Sequence, residues 1–140
     1  HDELVSRMKD LPVRARRAQA DIVLKTTDQV QQTKYGLVFC DVPCSGSGAW
    51  RRDPSGKWRL DADQLDNVLK RQFDILSNAA DLVAPDGVLL YATCSVLERE
   101  NGQQIDLFLK QNSHWSLANS QQFLPDSNGD GFYFAILQNG

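Results

Sequence analysis

Three cysteines carry the most nucleophilic side chains of this 140-residue chain, and two of them sit in similar surroundings. Cys44 lies in Asp41-Val42-Pro43-Cys44-Ser45-Gly46-Ser47-Gly48, and Cys94 in Tyr91-Ala92-Thr93-Cys94-Ser95. A thiolate is a strong nucleophile near neutral pH, and a second thiol beside it can hold or move a proton. Each motif follows a short apolar run, Leu37-Val38-Phe39-Cys40 before the first and Val88-Leu89-Leu90-Tyr91 before the second. Neither run alternates polar and apolar residues, which predicts strands buried on both faces of a parallel sheet. In open parallel sheets the chemistry sits beyond the carboxyl ends of the strands. If the two strands are neighbours, the two thiols face one pocket.

The elements that must position these residues are legible around them. Residues 62–84 carry Leu65, Val68, Leu69, Phe73, Leu76, Ala80 and Val83 at helical spacing, with Asp61 and Gln64 as a capping box. Pro85-Asp86-Gly87 predicts the turn into the next strand. A helix between two buried strands is a βαβ crossover, which favours a parallel pair. Ser95-Val96-Leu97-Glu98 reads as a second capping box, opening a helix to about Lys110. That would set Cys94 one residue before the N-cap, where the helix dipole favours a thiolate. Residues 115–137 predict two more strands around a turn, with Phe132-Tyr133-Phe134-Ala135-Ile136-Leu137 strongly strand-like. Asp126-x-Asn128-x-Asp130-Gly131 imitates the start of a calcium loop, but Leu137 stands where the closing Glu belongs, so it reads as a hairpin turn. Upstream, residues 1–20 read as helix with a break at Pro12, and Arg14, Arg16 and Arg17 as its solvated face. Ile22-Val23-Leu24 reads as a short strand with Asp28 just past it.

Composition narrows the function classes. The chain is long enough for one domain with a core, and no run is apolar for long enough to span a membrane. Net charge is -3 and the pI is near 5.3, so any hold on nucleic acid rests on a local patch. One candidate is the stretch in which Arg51, Arg52, Lys57 and Arg59 alternate with Trp50 and Trp58: cations for phosphates, rings for bases. Its bland counterpart is an exposed loop whose tryptophans pack on the domain. Three cysteines without framework spacing point to free thiols in a reducing cytosol. A zinc site from Cys40, Cys44 and Cys94 is disfavoured, because Cys40 should point into the core and no Cys-x-x-Cys knuckle is present.

These residues resemble the Sun/nucleolar-protein family of RNA (cytosine-5) methyltransferases. The similarity rests on the two cysteine motifs in this order, with Arg51-Arg52-Asp53-Pro54 between them. Glu100-Asn101 and Gly129-Asp130-Gly131-Phe132-Tyr133 follow. It covers most of the chain from about residue 21. The resemblance implies an α/β fold: the C-terminal portion of a Rossmann-like class I methyltransferase, a mostly parallel sheet with a C-terminal antiparallel hairpin. On this reading residues 1–140 are the C-terminal part of the catalytic domain. The glycine-rich cofactor loop and the N-terminal RNA-binding region lie upstream, so the chain alone should bind cofactor weakly and not turn over. The implied methyl donor is S-adenosylmethionine and the implied substrate RNA, most simply 16S ribosomal RNA in the cytoplasm, with no metal and no membrane. By the same resemblance Asp28 matches the acid near the adenosine. Asp41 matches the acid between the methionine end of the cofactor and the cytosine edge. Cys94 matches the nucleophile and Cys44 the cysteine that helps release product; Arg51 and Arg52, from the basic aromatic stretch above, are the candidate RNA contacts.

The chemistry is coherent with that assignment. Cytosine C5 is a poor nucleophile, but a thiolate added at C6 makes the ring an enamine that accepts a methyl group at C5. Release then needs loss of the C5 proton and departure of the thiolate, with Cys44 as base or as the base's assistant. From chemistry alone Cys44 could equally be the nucleophile. Two other classes compete. One is a non-catalytic RNA-binding module built on the basic aromatic stretch 50–59. The other is a thiol hydrolase, which needs a base; His1 is terminal and His114 sits beside Trp115.

Overall fold

The computed structural model describes residues 1–2 and 4–140. They form two compact units, His1–Lys34 and Tyr35–Gly140. In the first, a single 3-10 turn (Val5–Met8) precedes helix α1 (Leu11–Arg17), and α2 (Thr27–Gln31) closes the unit. The helical run is interrupted at residues 9–10, and Pro12 lies in the first turn of α1, where its missing N–H costs nothing, so the break falls just before it. Ile22-Val23-Leu24 is not a strand. It is exposed (45 %, 73 % and 40 %), and no described strand pairs with it. Apolar β-branched residues favour a pleated surface, but a strand exists only through its partner's hydrogen bonds. Asp28, expected just past that strand, instead lies in the first turn of α2. There Thr26 accepts from the Gln29 N–H, and Gln29 returns the bond to the Thr26 N–H.

The second unit is an α/β sheet with order β1 (Tyr35–Asp41), β2 (Val83–Thr93), β4 (Phe132–Asn139), β3 (Trp115–Phe123). β1 and β2 are parallel, with Cys40 opposite Tyr91 and Asp41 opposite Ala92. β4 runs antiparallel to both β2 and β3. The two cysteine-bearing strands are therefore neighbours, and the C-terminal pair is the expected antiparallel hairpin. Between β1 and β2 run α3 (Pro54–Arg59) and the long α4 (Ala62–Ala80).

α4 begins where Asp61 accepts from the Gln64 N–H at 2.8 Å. It buries Gln72, Leu76 and Ala79 at i, i+4, i+7 and stops at Ala80, so Val83 starts β2 instead of ending the helix. Pro85-Asp86-Gly87 falls inside β2. The register jumps from Tyr35 opposite Val83 to Leu37 opposite Val88, and Asp86 takes φ +60°. The turn signal was real, but it became an irregularity in a continuing strand. Leu76, Leu89, Tyr91, Ile105, Phe108, Ala135 and Leu137 are fully buried and form the centre of the core. β1 departs from the expectation of burial on both faces: Cys40 is in the core, while Leu37 and Phe39 are 61 % and 60 % exposed. Those two side chains point to the face opposite Val38 and Cys40.

Candidate active site

The parallel pairing of β1 and β2 carries both cysteine motifs off the same edge of the sheet. Cys44 Sγ and Cys94 Sγ lie 3.2 Å apart. Cys94 is exposed and Cys44 half-buried, while Cys40 is buried, its thiol pushed up to about 12 by burial. The two facing thiols differ electrostatically. Cys94 is held down at about 7, against 9 for a free thiol, chiefly by the hydrogen bond from Cys44 and further by its own backbone N–H. Burial and the charges of Asp41 and Glu100 act the other way. Cys44 is pushed far up, first by its hydrogen bond to Cys94 and then by burial. Cys44 thus serves as donor and Cys94 as the incipient thiolate.

A helix N-terminus was expected to supply that stabilisation, and it does not. The Ser95–Glu98 capping box is not formed. Residues 98–100 make a 3-10 turn, and the α-helix α5 (Gly102–Gln111) begins eight residues after Cys94. The Ser95 hydroxyl is taken elsewhere: it donates to Glu100 Oε2 and accepts from the Leu97 N–H.

Both loops are held by a buried polar network. Glu100 is fully buried. Its Oε1 accepts from the Ser45 N–H (2.7 Å) and Gln72 Nε2 (3.0 Å), and its Oε2 from the hydroxyls of Ser45 (2.5 Å) and Ser95. Gln72, from α4, also donates to Pro43 O at 2.9 Å. Asn101 receives the Thr93 hydroxyl at 2.7 Å and donates to Ser95 O at 3.0 Å. Ser47 Oγ accepts from the Val96 N–H. Two glycines allow the loops to close. Gly46 takes φ +69°, and Gly48 lies where a Cβ would meet Gly131 O at 2.2 Å. Gly48 N–H donates to Cys94 O, and Gly131 N–H to Gly48 O, both at 3.0 Å, so the hairpin turn is tied to both cysteine loops.

The remaining predicted residues divide. Asp41 ends β1, exposed, with its charge felt at Cys94; Asp28 lies in the other unit. Arg52 is bound to Asp130, its Nε 2.8 Å from Oδ2, and Arg59 to Asp53 at 2.8 Å. Arg51 is exposed, and Trp58 is 84 % exposed with the Lys57 ammonium 5.9 Å from its ring. Much of the stretch read as a loop is α3. The Asp126 carboxylate accepts from the N–H groups of Asn128 and Gly129, closing the hairpin turn. Among the described residues no three of His, Cys, Asp and Glu converge as metal ligands. His114 is exposed beside Trp115, at the opposite end of the sheet from the thiols. Glu100 and Gln72 had no predicted role. A Glu followed by Asn after a cysteine motif was the only visible trace of the network, and Gln72 had none beyond its place on the buried stripe of α4.

The fold is that of the C-terminal part of a Rossmann-like methyltransferase. It matches the crystal structure of PH0851 with a TM-score of 0.87 at 28 % identity, over 99 % of this chain and 36 % of that one. It also matches a methyltransferase homolog protein from Pyrococcus horikoshii at 0.79 and 18 %, over 98 % and 51 %. Residues 1–138 match the family described as 16S rRNA methyltransferase RsmB/F, and the protein belongs to that family. Among its relatives, ribosomal RNA small subunit methyltransferase B of Pasteurella multocida is 39 % identical over 75 % of this chain and 26 % of its own length. The Photorhabdus laumondii protein of the same name is 32 % identical over 94 % and 34 %. The chain thus spans about a quarter to a third of the length of these relatives. Among the described residues no helix is long and apolar enough to cross a membrane.

Proposed function

We propose that this chain carries the two-thiol portion of an enzyme that methylates C5 of a cytosine in RNA, with 16S ribosomal RNA in the cytoplasm as substrate. The family supports ribosomal RNA methylation. The observation that carries the cytosine-C5 reading is the thiol pair: an exposed Cys94 held down at about 7 and a half-buried Cys44 held up, 3.2 Å apart. Cys94 is the nucleophile. Its thiolate adds to cytosine C6, and the C5–C6 electron pair becomes the enamine that takes the methyl group at C5. S-adenosylmethionine supplies that methyl group when bound. Asp41, exposed at the end of β1 and electrostatically in range of Cys94, fits its methionine end, and Asp28 is assigned to the adenosine.

The pair also explains the release step. What raises Cys44 most is its bond to Cys94. Once Cys94 is a thioether, its sulfur is no longer an anion and that effect lapses. Cys44 can then lose its proton to solvent water; its thiolate takes the proton from C5, the C5–H electron pair re-forms the C5–C6 double bond, and the C6–S bond breaks so that Cys94 leaves as thiolate. Arg51 and Arg52 are assigned to the RNA backbone, with Trp58 as an exposed stacking surface.

The test uses the full-length protein with S-adenosylmethionine and RNA containing 5-fluorocytosine, which has no C5 proton to lose. The expected product is a denaturation-stable adduct mapped by mass to Cys94, absent in Cys94→Ala. An adduct on Cys44 would keep the reaction and reverse the two roles. RNA bound with no adduct on either thiol would refute the catalytic reading in favour of a binding module.

A further inference from the structure

Both thiols are followed directly by a serine, and both serines end on one carboxylate. Ser45 gives Glu100 its N–H and its hydroxyl, and Ser95 gives its hydroxyl. These contacts cross 55 residues of sequence on one side and 5 on the other. Gln72 closes the arrangement from α4 by donating to Glu100 and to Pro43 O, the carbonyl before Cys44. Glu100 is itself anchored, since the buried Tyr91 hydroxyl donates to its backbone carbonyl at 2.7 Å. Four donors meet two carboxyl oxygens, which fills the acceptor positions of an ionised carboxylate. A charge taken out of water is tolerated only when so satisfied. The hydrogen bonds of this carboxylate go to the two serines and Gln72 and not to either sulfur.

We infer that Glu100 is a positioning residue. Its carboxylate clamps Ser45 and Ser95 and thereby sets the distance between the Cys44 and Cys94 thiols. Two thiols exchange a hydrogen bond only over a few tenths of an ångström of tolerance. Freeing either loop should therefore uncouple them without touching the core. Its significance for catalysis rests on the two-thiol reading above, but the clamp itself does not.

The experiment reads the distance without RNA or cofactor. Full-length protein is treated with diamide, which takes two electrons and two protons from Cys44 and Cys94 as the disulfide forms and is itself reduced to the hydrazine. Wild type should close rapidly. Ser45→Ala, Ser95→Ala and Glu100→Ala should each slow closure by about tenfold or more, as expected when reacting groups drift by even an ångström. Glu100→Gln is the conservative rescue. Its amide oxygen still accepts from Ser45 N–H and Gln72, and its NH2 can donate to both serine hydroxyls. Closure should then stay within about threefold of wild type. The pH midpoint for alkylation of Cys94 should fall, because the Glu100 charge that opposes the thiolate is gone. A merely structural residue would not separate these two readouts. Closure at the wild-type rate in both serine variants overturns the clamp, whether or not Glu100→Ala folds. If the clamp holds and wild type forms no RNA adduct, the functional reading fails alone; if the adduct forms and closure is indifferent to the variants, the clamp fails alone.

Discussion

Cys44→Ala tests the central electrostatic claim, and its outcome can be worked out in advance. The substitution removes the donor 3.2 Å from Cys94 Sγ, the largest influence holding that thiol at about 7 rather than 9. The sign follows directly. A hydrogen bond to the anion favours the anion, so losing it raises the pKa of Cys94. At pH 7 a thiol at 7 is about half ionised and one at 9 about 1 %, an approximately 50-fold fall in thiolate. Each thiolate becomes more reactive as its basicity rises, with a slope of about 0.4–0.5, worth about eightfold over this range. With burial, Asp41 and Glu100 still opposing the thiolate, the variant's thiol should titrate at or above 9, so it should alkylate at least about sixfold more slowly than wild type at pH 7, match it at about pH 8 or higher, and overtake it only in strongly alkaline solution. The assay is the pseudo-first-order rate of iodoacetamide modification of Cys94, followed by peptide mass from pH 5.5 to 10.5 in the full-length protein. Crossing profiles are the signature. Superimposable profiles, or a wild-type midpoint near 9, would refute the claim that Cys44 holds the thiolate.

Gly48→Ala tests the closure of the loops. A Cβ there meets Gly131 O at 2.2 Å, Gly131 C at 2.7 Å and Cys94 O at 2.9 Å, all backbone, so the strands of loop must part. A loss of about 1–3 kcal/mol in urea unfolding is expected, together with a rise in the Cys94 alkylation midpoint; an unchanged midpoint would show that the thiol contact does not depend on this approach. For the arginines, Arg51→Ala should reduce the slope of log affinity for RNA against log salt by about 1, and Arg52→Ala by less, because Asp130 already holds that guanidinium. Equal effects would mean that Asp130 releases Arg52 when RNA binds.

The parts of the fold that were legible are those fixed by local pattern. The unbroken apolar runs before Cys44 and Cys94 found β1 and β2, the stripe through Leu65 to Leu76 found α4, and aromatic residues 132–134 found β4. The crossover rule favoured only a parallel pair; adjacency of the cysteine strands was assumed from pattern and implied by the family resemblance, and the β1–β2 register bears it out. Failures came where a local signal had a stronger partner far away. Ser95 and Glu98 have the spacing of a capping box, but the Ser95 hydroxyl bonds Glu100 and Ser47, so the helix starts at Gly102 instead. Pro85-Asp86-Gly87 carries turn chemistry, yet at Val88 pairing with β1 resumes and pairing with β4 begins, so the strand runs on past it. Ile22-Val23-Leu24 has strand composition and no strand beside it. Leu37 and Phe39 are apolar as a buried strand requires, but composition does not tell which face is covered.

The misplaced helix changes the chemistry as well as the topology. A thiolate stabilised by a helix dipole keeps its stabilisation throughout a reaction, because backbone N–H groups are not consumed. A thiolate stabilised by a neighbouring thiol does not, since the donor can lose its proton and the acceptor can form a bond. Lowering Cys94 and raising Cys44 are one interaction seen from two ends, so what changes Cys94 must change Cys44 in the opposite sense. On the proposed mechanism the arrangement would ready Cys94 to attack while Cys44 keeps its proton, and would let that proton go once Cys94 is bonded. Neither state needs a histidine, and the one histidine in the sheet unit lies at the far end from both sulfurs. Sequence spacing places two cysteines at the ends of two strands. Which thiol is ionised first is decided by a 3.2 Å contact between residues fifty positions apart, held by a carboxylate that belongs to neither motif.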